Sequence, residues 1–176
     1  MYKLGLLGRN ISYSFSRSYF KSKFEKEQIT DISYENFDVE DISSFPDIIK
    51  NTNGLKGLNV TIPYKEVVMP YLDEIHEKAK TIGAVNTIKI TDEGKLIGYN
   101  TDCYGFEASI KPYLQPHHKK ALILGTGGAS KAVLYTLKAL NIECHYVSRQ
   151  PSEHVSFTYG ELTNSIIKVL IRQKPI

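Results

Sequence analysis

Hydrophobic and polar positions along this chain follow two alternating rhythms, short apolar runs of strand type and longer segments of helical spacing. Tyr2-Lys-Leu-Gly-Leu-Leu7 reads as a first strand ending at Gly8, and Tyr19-Phe-Lys-Ser-Lys-Phe24 begins a helical spacing. Residues 33–39 alternate with period two, Phe45 to Lys50 suits a short helix, and Leu55 to Ile62 reads as a third strand stopped by Pro63. A helix is predicted from Asp73 to Thr81, with Asp73 and Glu74 favourably placed near its N-terminus. Residues 85–91 and 95–99 predict two strands joined by the short turn Asp92-Glu-Gly94, an antiparallel addition to a mainly parallel sheet. Asp102 to Lys111 then reads as a helix halted before Pro112.

Leu114-Gln-Pro-His-His118 is the most linker-like stretch, and after it the rhythm restarts. A strand from Lys120 to Leu124, a glycine turn, a helix from about Ala129 to Leu140 and a strand from Glu143 to Val147 make a βαβ unit. Residues 152–156 read as loop and 159–170 as a helix. The pattern predicts an α/β protein with two domains. Residues 1–113 form a mainly parallel open sheet, and residues 114–176 form an incomplete Rossmann-type nucleotide-binding domain.

Composition adds exclusions. With 176 residues and 41% hydrophobic content the chain can bury a real core. A formal net charge of +3, spread over lysines mixed with acids, gives no basic stripe for a phosphate backbone, so nucleic acid is not expected as a partner. Neither a leader peptide nor a run of about 18 apolar residues occurs, which predicts a cytoplasmic protein without a membrane span. Cys103 and Cys144 have no zinc-type spacing and no disulfide framework, so reduced thiols and no metal site are expected.

Candidate chemistry gathers in three polar clusters, each beside a strand-like run: Asn59-Val-Thr-Ile-Pro-Tyr-Lys65, Gly83-Ala-Val-Asn-Thr87 and Gly98-Tyr-Asn-Thr-Asp102. Lys65 stands past a strand's carboxyl end, the edge where open α/β sheets bind ligands. Its ammonium can polarise a carbonyl oxygen or take part in proton transfer, with Asp102 as a partner. Taken alone, Lys65 reads equally as a surface cation, and Asn86 and Asn100 read as turn residues. Ser14 and Ser16 follow the first strand, where two hydroxyls suit either a carboxylate or a helix cap.

Gly125-Thr-Gly-Gly-Ala-Ser130 follows a buried-type strand and opens a helix, the context that gives a glycine fingerprint meaning. Gly125 allows the tight turn, Gly127 lets backbone approach a pyrophosphate, and the N–H groups at the helix start meet its charge. Ser130 stands where the fingerprint has Gly or Ala. NAD-binding units carry an acid after the second strand, about 20 residues on. Ser148-Arg149 occupies that place, and an arginine pairs with a 2′-phosphate, which favours NADP over NAD.

These segments, in this order and together with Gly105-Phe106, resemble the shikimate dehydrogenases. The resemblance implies NADPH-dependent reduction of 3-dehydroshikimate to shikimate, in the pathway to aromatic amino acids. It implies that Ser14 and Ser16 hold the substrate carboxylate and that Thr61, Asn86 and Asp102 contact ring hydroxyls. Lys65 and Asp102 are then the catalytic pair. Gly125, Thr126, Gly127, Gly128, Ala129, Ser148 and Arg149 become the cofactor side, with Glu77 matching a further position near the cofactor. Tyr13 and Arg17 replace the family's frequent His and Pro around the serines, and Ser148-Arg149-Gln150 replaces Asn-Arg-Thr.

Family members continue past this chain's last residue, so a truncated dehydrogenase is expected, its substrate half folding while NADP binding and turnover are severely impaired. An uncovered Rossmann surface would invite self-association. A non-catalytic shikimate-binding module and a quinate dehydrogenase relative are the alternatives. Paired serines favour a carboxylate substrate over a folate-linked one.

Overall fold

The computed structural model describes residues 1–171, with side chains described through Lys168. By packing, the chain divides into two compact units, Met1–Asn100 and the residues from Thr101 onward. The linker-like stretch 114–118 lies inside the second unit.

The first unit runs β1 (Tyr2–Gly8), α1 (Phe15–Lys26), β2 (Ile32–Asp38), α2 (Phe45–Asn51), β3 (Leu55–Val60), β4 (Glu74–Ile75), α3 (Glu77–Ile82), β5 (Thr87–Ile90) and β6 (Leu96–Tyr99). These strands form one sheet in the order β2-β1-β3-β5-β6-β4. β1 pairs parallel with β2 and β3, whereas β5 runs antiparallel to both β3 and β6. Successive strand residues face opposite sides, so adjacent leucines serve different cores. Leu7 packs with Phe45, Leu58, Val60, Val68 and Val85 on one face, and Leu6 packs with Ile11 and Tyr34 under Phe20 and Phe24 of α1 on the other.

Two local expectations give way to tertiary pairing. The helix predicted from Asp73 begins only at Glu77, because the preceding residues are held along β6. Asp73 N–H donates to the Leu96 carbonyl (3.0 Å), Leu96 N–H returns a bond to the Asp73 carboxylate (2.7 Å), and His76 N–H donates to Gly98 (2.9 Å). Glu74 therefore lies in a short strand, and His76 caps the helix by accepting from Lys78 N–H (3.3 Å). Helix α1 starts before the apolar spacing does, because Ser14 caps it.

The second unit runs α4 (Asp102–Ile110), β7 (Lys120–Leu124), α5 (Gly128–Ala139), β8 (Glu143–Ser148), β9 (Phe157–Thr158) and α6 (Asn164–Ile171). Its three strands are parallel, in the order β7-β8-β9. Ile123, Leu137 and Ile142 form its core, joined by Phe106 and Ile110 of α4. The Thr136 hydroxyl, buried in α5, donates to the Cys103 carbonyl (3.2 Å), tying α4 to α5. Strand β9 adds to the expected βαβ unit, and a 3-10 turn at Tyr159–Glu161 precedes α6 where one continuous helix is predicted. Cys103 and Cys144 are free thiols, and no helix among the described residues is long and apolar enough to cross a membrane.

Candidate functional site

In the first unit the site is an edge of the sheet. Register places Leu7 of β1 beside Val60 of β3, Asn59 beside Thr87 of β5, and Thr87 beside Tyr99 of β6. The carboxyl ends of β1, β3 and β6 thus meet the amino end of β5. Thr61 N–H donates to Leu7 (2.9 Å), Val60 N–H to Asn86 (2.8 Å), and Asn86 N–H to Tyr99 (3.0 Å). Four segments distant in sequence are thereby fixed to one another by backbone.

Lys65 follows this edge in a turn rather than a helix. The neighbouring Tyr64, 4% exposed, drives its ring into the core and donates its hydroxyl proton to the Val39 carbonyl (2.6 Å). The Lys65 carbonyl accepts from Val85 N–H (2.7 Å). Lys65, half-buried, is therefore anchored on both sides although its own side chain is long. Gly83 makes the second of these anchors reachable. At φ +73° it ends α3 in the left-handed region, its N–H closing onto Ala79 and Lys80, and turns the chain back toward β3.

Asn100 and Asn86 are buried, 3% and 8% exposed. The Asn100 amide donates to the Ala84 carbonyl (2.9 Å), clamping the end of β6 to the segment that carries Asn86. This is a tertiary clamp where the sequence alone suggests turn chemistry. A buried amide is retained only with partners, so its placement is specified.

The serine loop is held from β2. Asp38 accepts from the N–H groups of Asn10 (2.7 Å) and Ile11 (3.0 Å), and Asn36 donates its amide to the Ile11 carbonyl (3.1 Å). Ser14 N–H then bonds Ile11 (2.9 Å), and the Ser14 hydroxyl oxygen accepts from Ser16 N–H (3.2 Å) as the N-cap of α1. Capping thus accounts for Ser14 and leaves Ser16, the second residue of the helix, half-buried beside it. The positive end of α1 and these hydroxyls suit an anion.

In the second unit Gly125 lies at φ +107° directly after β7, its N–H bonded to the Val147 carbonyl (2.8 Å). Gly127 caps α5 and Gly128 begins it. A Cβ at Gly125 or Gly127 would meet nothing within 4 Å, so an open cradle lies over the helix start. The first turn's N–H groups have no acceptor inside the helix. Thr126 and Ala129 are exposed around the cradle, and the Ser130 hydroxyl donates back to the Gly127 carbonyl (2.6 Å), stiffening the turn. Ser148 ends β8 half-buried, and Arg149 follows it exposed.

The proposed set is therefore divided between the units. Ser14, Ser16, Thr61, Lys65 and Asn86 belong to the edge of the first sheet, and Asp102 opens α4, half-buried, in the second unit with the glycine turn and Arg149. Glu77 is exposed on the first turn of α3 and pairs with Lys80 at 2.8 Å, which holds its carboxyl below the usual range. Residues that position the site, Asp38, Asn36 and Tyr34, carry no motif. Period-two placement of Tyr34 and Asn36 in β2 was the available signal. Tyr159, half exposed, opens the 3-10 turn that follows β9, and was hidden with the short strand before it.

Residues 6–88 match the shikimate dehydrogenase substrate binding domain. Over 157 residues the chain is 44% identical to the shikimate dehydrogenase (NADP(+)) of Clostridium botulinum strain Hall, covering 87% of this chain and 60% of that protein. Shikimate dehydrogenase 1 from Peptoclostridium difficile superposes with a TM-score of 0.80 at 42% identity, covering 92% of this chain and 62% of that one. The Thermus thermophilus shikimate 5-dehydrogenase, solved with NADP(H) and shikimate, gives 0.75 at 34% identity, covering 86% and 57%. The chain spans about 60% of the length of the curated relatives it matches. Over the matched residues it is similar to the shikimate dehydrogenases.

Proposed function

We propose that the sheet edge of the first unit binds shikimate and 3-dehydroshikimate, as the substrate side of NADP-dependent shikimate dehydrogenase chemistry in the route to aromatic amino acids. The observation that carries this reading is the meeting of four chain segments at one edge, with Thr61, Lys65 and Asn86 fixed by backbone bonds and the serine loop held from β2. Ser14, Ser16 and the start of α1 recognise the carboxylate. Thr61, Asn86 and Asp102 take ring hydroxyls.

The glycine turn fits NADP. Its open cradle accepts a pyrophosphate at the helix start, and Arg149, with no carboxylate at the end of β8, suits a 2′-phosphate. Gly125 through Ala129, Ser148 and Arg149 form this side, and Glu77 joins it by the resemblance. Bound NADPH supplies hydride to the carbonyl carbon. Lys65 stabilises the charge growing on the carbonyl oxygen and delivers the proton that completes the alcohol; in the oxidative direction it receives that proton, with Asp102 as its partner. A cytoplasmic location and self-association belong to the same reading. β7 is one edge of the three-stranded sheet formed by the described strands of the second unit, and Leu124 on it is 63% exposed.

Calorimetry with shikimate and with NADP, followed by shikimate-dependent reduction of NADP, tests the reading. Shikimate binds saturably, Lys65→Met cuts any turnover by about 100-fold or more while shikimate affinity changes far less, and Arg149→Ala weakens NADP but not NAD. Absence of shikimate binding, or full turnover in Lys65→Met, would overturn it. Shikimate binding without turnover in the unaltered chain would favour a binding module.

A further inference from the structure

Asn86 ends in an amide whose oxygen and nitrogen have nearly the same shape, so neighbouring hydrogen bonds decide which end meets a ligand. Those neighbours are fixed by the sheet. Register puts Asn59 of β3 opposite Thr87 of β5. The Asn59 amide donates to the Thr87 hydroxyl oxygen, Nδ2 to Oγ1 at 3.4 Å, and the Thr87 hydroxyl donates in turn to Asn86 Oδ1 at 3.0 Å.

The direction of these bonds is set from β2. Tyr34, buried with its ring stacked on Phe20 at 4.5 Å between centroids, reaches over β1 and donates its hydroxyl proton to Asn59 Oδ1 at 2.9 Å. Asn59 therefore keeps its nitrogen toward Thr87. The reverse order would aim that nitrogen at Tyr34 and take from a buried phenol the acceptor of its only proton, which is costly inside a fold. Each member thus donates to the next, from Tyr34 through Asn59 and Thr87 to Asn86. The Asn86 oxygen is engaged from Thr87, and Nδ2 is the opposite end of the amide.

We propose that Thr87 is a positioning residue that holds Asn86 as a hydrogen-bond donor toward the substrate ring, with the order of donors and acceptors imposed from Tyr34 through Asn59. The proposal rests on the reading that Asn86 contacts a ring hydroxyl. A donor there meets the oxygen of a hydroxyl or of a carbonyl equally, whereas an amide turned about would accept from a hydroxyl and repel a carbonyl. Thr87 acts through Asn86 and touches no substrate itself.

Thr87→Val removes the hydroxyl at nearly constant shape on a strand, where Val is favoured, and Thr87→Ser returns the hydroxyl without the methyl. Melting curves check both folds. Two probes separate orientation from general damage: shikimate, and cyclohex-1-enecarboxylate, which has the acid without the hydroxyls. Thr87→Val should bind shikimate about tenfold more weakly, the worth of one hydrogen bond, and bind cyclohex-1-enecarboxylate as the parent does. Thr87→Ser should recover most of the shikimate affinity. With Asn86→Ala already in place, Thr87→Val should cost nothing further. Equal losses for both probes, no loss for shikimate, a serine variant as weak as the valine one, or additive losses in the double variant would overturn the proposal. If the unaltered chain binds no shikimate, the functional reading falls, and the orientation is still decided in the ligand-free protein. There Tyr34→Phe, which keeps the ring on Phe20 and frees the Asn59 amide to turn, should move the side-chain amide resonances of Asn86; unmoved Asn86 signals would overturn it.

Discussion

Asn100→Ala tests whether the sheet edge is assembled by tertiary clamps. The Asn100 amide is 3% exposed and donates to the carbonyl of Ala84, a residue with no exposure. Removing it deletes one buried hydrogen bond and leaves the Ala84 carbonyl without that donor, a cost of ~2 kcal/mol. For a unit of this size that lowers the melting temperature by about 8–16 °C. Asn100→Asp keeps the shape but presents an ionised acceptor to a carbonyl, so its loss is larger at neutral pH. Burial favours the protonated form of the new carboxyl, raising its pKa in the folded state. That form can donate to Ala84, so the deficit shrinks as pH falls and returns as pH rises. Thermal melts followed by circular dichroism across this pH range give both readings. A drop of less than about 2 °C for Asn100→Ala, or an Asp variant insensitive to pH, would refute the clamp.

Gly127→Val should fold with a melting temperature only a few degrees lower, the loss of a favoured N-cap residue, since φ is −77° and an added Cβ meets nothing within 4 Å, yet abolish NADP binding by filling the cradle; a calorimetric titration with retained affinity would contradict this. Tyr34 should make the fold sensitive to alkali. Its phenol pKa is raised from 10.0 to about 12 by burial, so the unfolded chain loses that proton first, and the stability held below pH 10 is lost as pH rises toward 12. Denaturant unfolding at both ends of that window should show the parent losing roughly 2–3 kcal/mol more than Tyr34→Phe. Identical pH slopes would remove the assignment.

How much of this was legible in sequence follows from which forces act locally. The strand from Lys120 to Leu124 and the glycine turn after it were readable because a buried run, a glycine at positive φ and a helix start are set within a few residues. The motifs around Lys65 and Asn86 were readable as chemistry. Their mutual placement was not, because it depends on the pairing of β3 with β5 and of β5 with β6. β4 was misread as helix because Asp73 and Glu74 look like N-terminal acids, while Asp73 in fact binds Leu96 across 23 positions. β9 escaped because two residues carry no period and are held only by β8. Tyr34 looked like one aromatic in an alternating strand, and its role depends on Asn59, 25 residues away.

The most direct test of the central claim is a titration of the isotopically labelled chain with shikimate, followed residue by residue in amide spectra. Saturable shifts confined to Ser14, Ser16, Thr61, Lys65, Asn86, Asp102 and their backbone neighbours are the expected result. Spectra unchanged at millimolar shikimate, or shifts centred away from the carboxyl edge of β1 and β3, would contradict the account.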